Sequence, residues 1–169
     1  MNKIAIIGSG GSGKSTLARQ MGEMLNIKVW HLDSLLWKPN WTPTTKEEQI
    51  SIQTSLVKQE QWIIDGNYNG TMGMRLEAAD TIIFLDQWRV MCVYRVFKRM
   101  LKYHNKTRPD MKEGCMESLD FKFLKWIWDY PKTKKPMVLA KLEKLPKGKN
   151  IFVLRTQQEV ERFLESLQK

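Results

Sequence analysis

The chain has no apolar run of the roughly 18 residues that a membrane-spanning helix requires. Its opening residues, MNKIAIIG, hold too short an apolar stretch for a secretory leader. The expectation is a cytoplasmic protein with no membrane partner. Cysteine is scarce: only Cys92 and Cys115, without CxxC spacing. That excludes a disulfide framework and predicts buried, inert thiols in a reducing compartment. The two histidines, His31 and His104, are too few and too scattered for a metal cluster. Internal repeats are missing. Acidic residues are sparse in one stretch, where residues 87–149 carry 17 Lys/Arg against 6 Asp/Glu, a net of +11. The rest of the chain is close to neutral. Such a block attracts polyanions, or is a solvated lysine-rich face.

What is present fits one globular domain over residues 1–169, since the 169 residues are 42% hydrophobic and 27% charged. Short apolar runs at 3–7, 28–32, 62–65, 81–86 and 150–155 are continuous rather than alternating. That suits parallel strands covered on both faces. Helical patterns lie between them, at about 14–25, 45–60, 71–78, 89–103 and 156–168. Thr156 and Glu159 predict a capping box for the last. Residues 104–148 contain no good strand and read as an insertion before the fifth strand. The expected fold is a three-layer α/β sandwich around a five-stranded parallel sheet.

Residues 6–16 read IIGSGGSGKST. Within them Gly8-Ser9-Gly10-Gly11-Ser12-Gly13-Lys14-Ser15 matches GxxxxGK[ST], a pattern arising by chance in on the order of one chain in a hundred. The spacing is chemical. Glycines let backbone N–H groups turn inward around a phosphate, and the next helix presents its N-terminus to the same anion. Lys14 is expected to reach the β- and γ-phosphates of ATP, Ser15 to sit on Mg²⁺, and Thr16 to add a hydroxyl nearby.

Ligands of open parallel sheets gather beyond the strands' carboxyl ends. Asp33, Asp65 and Asp86 fall there. Asp65 suits the orientation of Mg²⁺. Asp33 suits an acceptor hydroxyl, as base or orienter. Asp86 reads as a ligand group or as a cap for the helix starting near Arg89. Arg95 and Arg99 share a helix face four residues apart, and Arg108 lies in a loop. Planar guanidinium forks suit the shared oxygens of a transferring phosphoryl group. Trp37 and Trp41 flank Lys38-Pro39-Asn40, where proline predicts irregular backbone. Their rings either face an acceptor or pin the loop to the core. Asn67 and Tyr68 are placed to hydrogen-bond an acceptor. Leu119, Phe123, Trp126, Ile127 and Tyr130 share one face of a helix that is expected to be packed.

Together these residues resemble the adenylate-kinase and shikimate-kinase type of P-loop kinases. The resemblance implies a basic lid over roughly 104–148, with Arg95 and Arg99 as phosphate-binding arginines and Arg108 as a lid arginine. It further implies that Arg155, with Thr156 and Gln157, flanks the adenine. A closer resemblance is to the bacterial topology modulation proteins. It is carried by HLDSLLWKPNW (31–41), WIIDGNY (62–68), RLEAADTIIFLD (75–86), RPDMKEGCME (108–117), FLKWIWDYP (123–131) and FVLRTQQEVERFL (152–164). One departure from adenylate kinases is that Asp65-Gly66-Asn67-Tyr68-Asn69 has no arginine directly after it; Arg75 is the substitute.

The expected function is therefore phosphoryl transfer from MgATP to a small-molecule acceptor, by a monomer or homodimer. The rival is a nucleic-acid-associated ATPase docking through the basic block. No recognition-helix, zinc or RNA-binding signature accompanies that block.

Overall fold

Short β-branched segments too apolar to face water on either side must be covered twice, and the architecture follows from that requirement. A computed structural model describes residues 1–118 and 120–168. In chain order the first elements are β1 (Lys3–Gly8), α1 (Lys14–Leu25), β2 (Val29–His31), α2 (Leu32–Leu36), β3 (Trp37–Lys38) and β4 (Thr42–Pro43). Next come α3 (Lys46–Val57), β5 (Trp62–Asp65), α4 (Met72–Ala78), β6 (Thr81–Leu85) and α5 (Arg89–Lys102). The last are α6 (Phe121–Thr133), α7 (Lys135–Glu143), β7 (Asn150–Leu154) and α8 (Gln157–Ser166).

The main sheet has five parallel strands in the order β2-β5-β1-β6-β7. Alternate side chains of each strand go to opposite faces. Ile4 and Ile6 pack with Leu17, Met21 and Phe163 of α1 and α8. Ala5 and Ile7 pack with Leu36, Met72 and Tyr130 on the other face. The three-layer sandwich and the five strands agree with the sequence reading.

Where the structure adds to that reading, the cause is local or tertiary. Residues 37–43 form an antiparallel ribbon, Trp37 opposite Pro43 and Lys38 opposite Thr42. Proline was expected to prevent regular structure, but Pro39 sits in the turn, where no ladder hydrogen bond is needed. Asn40 and Trp41 follow at φ 59° and 56°. A left-handed conformation is ordinary for asparagine and strained for tryptophan. The Thr156 hydroxyl accepts from the Glu159 amide. The Glu159 carboxylate accepts from the Arg155 amide instead of closing the expected box. A complete box forms at Thr45 and Glu48 of α3.

The 104–148 stretch divides in two. Residues 104–118 form a loop held by bridges between His104 and Glu117 and between Thr107 and Met116. α6 and α7 pack into the body, Tyr130, Val138 and Leu142 joining the main core. Phe123 and Ile127 lie against Gly10. This answers the packing question for the aromatic helix; Leu119, assigned to the same face, lies outside the described residues. Several lysines of the basic block are ties to the body. Lys135 pairs with Asp86 at 2.7 Å. Lys141 donates to the Asn69 carbonyl at 2.9 Å. Lys149 donates to the Glu77 and Ala79 carbonyls at 2.7 and 2.6 Å.

Arg75 is fully buried. Its guanidinium donates to the carbonyls of Gly66 and Asn67 at 3.0 and 2.7 Å and to the Gln53 side chain. Burial pulls its pKa down to about 10. It is thus a brace for the 66–67 turn and offers no clamp to a ligand, contrary to the substitution considered above. Arg75→Met would strand those carbonyls, so unfolding in urea is expected to show a loss of about 2–3 kcal/mol. A change below half a kilocalorie would contradict the bracing role.

Candidate active site

The glycine-rich loop joins the end of β1 to the start of α1. Gly11 and Gly13 adopt φ 72° and 98°. A Cβ on Gly11 would lie 2.3 Å from the Cys92 carbonyl oxygen, so the loop is pressed against α5 and needs glycine there. The Gly8 amide donates to Asn67 Oδ1 at 3.0 Å, which ties the loop to the segment after β5. Lys14 Nζ donates to the Ser9 carbonyl at 2.7 Å. Burial lowers the Lys14 pKa, against the opposing pull of Asp33 and Asp65.

Asp65 is buried at the end of β5 and is held from two sides. Ser15 Oγ donates to its Oδ2 at 2.7 Å, and His31 Nδ1 lies 2.7 Å from its Oδ1. Burial works against the imidazolium, but Asp65 outweighs it, and the His31 pKa lies above its ordinary 6.5. Asp110 approaches the same point, beside Ser15 and His31. Burial opposes its ionisation, yet Arg108 and its own amide hold the carboxyl below the usual range. A hydroxyl and carboxylates are hard oxygen donors, the set that suits Mg²⁺.

Asp33 lies in the first turn of α2, capped by His31 without a side-chain bond, so Asp33 does not cap. It accepts from Tyr68 Oη at 2.9 Å. Burial, then the Asp33 charge, raises the Tyr68 pKa, so this phenol remains a donor. Tyr68 itself sits at φ 35°.

Two arginines converge on one carboxylate. Arg99 Nε and Nη2 each lie 3.0 Å from Glu117 Oε1. Arg108 Nε lies 2.9 Å from Glu117 Oε2, an ion-pair contact without hydrogen-bond alignment. Glu117 and Arg108 are buried; Arg99 is half-buried. Burial, then the charge of Arg108, lowers the Arg99 pKa. Arg95 bonds elsewhere, to the Ser12 carbonyl at 3.3 Å and Gln157 Oε1 at 3.1 Å.

One cavity of about 1270 Å³ collects most of these groups. That exceeds the roughly 300–1,000 Å³ of a one-ligand cleft. Gly10, Gly11, Gly13, Lys14, Ser15, Thr16, Asp33, Asp65, Arg95, Arg99 and Arg108 all line it. Gly8, Ser9 and Ser12 lie buried within the loop behind that lining. Arg155 is outside the cavity, its side chain 67% exposed and its Nε 3.6 Å from Asp86 Oδ2. Asp86 does not cap α5, whose N-cap is Trp88. His31, Asp110 and Glu117 escaped the sequence reading. Asp110 and Glu117 lie in the RPDMKEGCME block, whose density in charge was the available signal.

Two predictions follow from these contacts. Stability from the His31–Asp65 pair is complete below pH 6.5 and is lost as pH rises through the raised folded-state value. In metal-free protein, His31→Gln is therefore expected to flatten the decline of the urea midpoint above pH 6.5; an unchanged slope would contradict the pairing. Glu117→Gln leaves the buried Arg108 and the half-buried Arg99 facing each other without their shared carboxylate, and a loss of about 3 kcal/mol in urea unfolding is expected. Adding Arg108→Met should recover part of it, and strict additivity of the two changes would argue against the shared contact.

No protein-family model matches the chain, and no curated protein matches it. The fold has solved counterparts. A shikimate kinase from Acinetobacter baumannii in complex with shikimate superimposes with TM-score 0.60 at 12% identity, covering 99% of this chain and 90% of that one. Deoxyadenosine kinase from M. mycoides with bound dATP gives 0.57 at 15%, covering 98% and 99%. A gluconokinase from Sinorhizobium meliloti 1021 gives 0.55 at 15%, covering 98% and 89%. At such identities the likeness establishes the shared fold, a parallel sheet of P-loop kinase type with flanking helices.

Proposed function

We propose that this chain transfers the γ-phosphoryl group of MgATP to the hydroxyl of a small-molecule acceptor. One observation carries the reading: a glycine-rich loop with its lysine, the Ser15–Asp65 pair and the Tyr68-oriented Asp33 all face one cavity.

In this reading the loop amides and Lys14 hold the triphosphate, with Thr16 at the same helix start. Ser15 and Asp65 would hold Mg²⁺, which would supply charge neutralisation at the triphosphate. Asp33 receives the acceptor hydroxyl. Its oxygen forms a bond to the γ-phosphorus as the bond to the bridging oxygen breaks. ADP leaves with that electron pair, and the hydroxyl proton passes to Asp33. Arg95, Arg99 and Arg108 stabilise the spreading charge, and Arg155 stays near the nucleotide's outer edge. Closure of the 104–118 loop keeps water from competing as acceptor. The structural neighbours, a shikimate kinase, a gluconokinase and a deoxyadenosine kinase, fit this class of chemistry. The resemblance to topology modulation proteins concerns cellular context and names no acceptor.

The test is an ATP-consumption screen against nucleosides, nucleotides, sugars and small acids, with the water-only rate as reference. Lys14→Ala is expected to lower the acceptor-dependent rate by about 10²–10³-fold. Asp33→Asn is expected to lower kcat by about 10²–10⁴-fold with MgATP affinity retained. Calorimetry showing wild-type MgATP binding and turnover in Lys14→Ala would remove the reading.

A further inference from the structure

The acceptor end of the cavity has walls of unusual chemistry for a chain so rich in cations. They are α2, the β3–β4 ribbon and residues 66–68. These elements contribute Asp33, Trp37, Trp41, Asn67 and Tyr68 to the lining. A carboxylate, a carboxamide, a phenol and two indoles are present; a cation is not, among the described residues of these walls. Lys38 is the ribbon's one lysine, and it is turned outward to Glu48 at 2.9 Å.

The nearby arginines stand on other elements, α4, α5 and the 104–118 loop, and each is fixed there by protein partners. Arg75, which follows Tyr68 on α4, spends its guanidinium on the Gly66 and Asn67 carbonyls and Gln53. Arg99 and Arg108 share Glu117, and Arg108 also lies 3.7 Å from Asp110. Arg95 bonds to Ser12 and Gln157. Of the remaining cavity cations, Lys14 feels the Asp33 charge but donates to the Ser9 carbonyl and in this reading is kept for the triphosphate; Arg19, Lys98, Lys102 and Lys122 are exposed and stand on α1, α5 and α6. A carboxylate or phosphomonoester placed beside Asp33 would meet like charge and no fork, a desolvation cost without compensation.

The rings are held for contact. Trp37 and Trp41 meet edge-to-face, with centroids 5.7 Å apart. Trp41 Nε1 donates to the Met116 carbonyl at 2.9 Å, and the Asn40 amide to the Gly114 carbonyl at 3.1 Å. Cys115 Sγ reaches the Lys38 carbonyl at 3.2 Å. The ribbon and the 104–118 loop are thus fastened together over the acceptor end. Trp41 and Tyr68 stay in left-handed backbone, at φ 56° and 35°. Strain persists at such residues only where the surroundings fix them. Edge-to-face indoles offer a flat ring a face and an edge in the same corner.

We infer that the acceptor is an uncharged hydroxyl compound bearing a flat ring, of the nucleoside class, whose hydroxyl meets Asp33 and whose ring lies against Trp37 and Trp41. This rests on the phosphotransfer reading above and deepens it. The donated Tyr68 hydrogen occupies Asp33 Oδ1, leaving the second carboxylate oxygen for the acceptor hydroxyl. Asn67, whose Oδ1 is taken by the Gly8 amide, keeps its NH₂ for a ring or sugar oxygen.

The experiment is calorimetry on the full chain with Mg²⁺ and a non-hydrolysable ATP analogue. The probes are adenosine, deoxyadenosine, cytidine, each 5′-monophosphate, shikimate, gluconate and a cationic amino alcohol. At least one nucleoside is expected to bind about tenfold or more tightly than its own 5′-monophosphate, and than either carboxylate. It should also gain phosphate from MgATP. Trp37→Leu should weaken that nucleoside by about tenfold or more while the Kd for MgATP stays within twofold. Trp37→Phe should restore most of the binding. Tightest binding by a monophosphate, a carboxylate or the amino alcohol overturns the inference, as does binding by no nucleoside. Failure of the MgATP titration without any acceptor strikes the phosphotransfer reading itself, so the two failures are separable.

Discussion

The register between β1 and β5 is the constraint on which the site depends. Parallel pairing sets Ile6 opposite Asp65, and the next strand sets His31 opposite the same residue. The glycine-rich loop leaves β1 two residues later. A one-residue slip would turn Asp65 to the other face of the sheet. The register is locked beyond the ladder itself, because the Gly66 amide donates to the Ile6 carbonyl and Asn67 accepts from Gly8. Arg75 then braces that turn from beneath. Loop, carboxylate and hydroxyl meet because hydrophobic strands with one allowed register deliver them to one edge.

Charge is distributed on the same logic. The basic block looks uniform along the chain, but tertiary structure splits it into unlike parts. Some lysines end on carbonyls or on Asp86 and serve as ties. Others stay in water, where they add to the field that draws in polyanions. The arginines are positioned by partners: Glu117 holds Arg99 and Arg108 side by side against their mutual repulsion. A guanidinium kept in place by a buried carboxylate is oriented in advance, which suits a group meant to meet transient charge.

The wall of the cavity around Trp41 and Tyr68 depends on strain and on contacts distant in sequence. Trp41 and Tyr68 occupy backbone regions unfavourable to bulky residues, and each is held by a hydrogen bond from its tip. The ribbon that carries the indoles is fastened to a loop some 75 residues further along the chain. Movement of one would carry the other, so ordering of the ribbon and of the loop that carries Arg108 is coupled.

Much was legible before any coordinates. Period and composition marked the strands, because a doubly covered strand has no alternative to a continuous apolar run. GxxxxGK[ST] marked the loop, because only glycine tolerates its φ values and its approach to Cys92. Asp33 and Asp65 were legible as the first polar residues after apolar strands. The ribbon at 37–43 was not, since its turn relies on a left-handed Trp41, which propensity argues against. Nor were the partners of His31, Arg75 and Glu117, whose contacts cross 34, 22 and 18 positions. Sequence alone determined the elements and the chemistry available at their ends, because those follow from local pattern. Which charges are spent on the protein and which remain for a ligand was decided only by the tertiary structure, since pairing depends on distance in space.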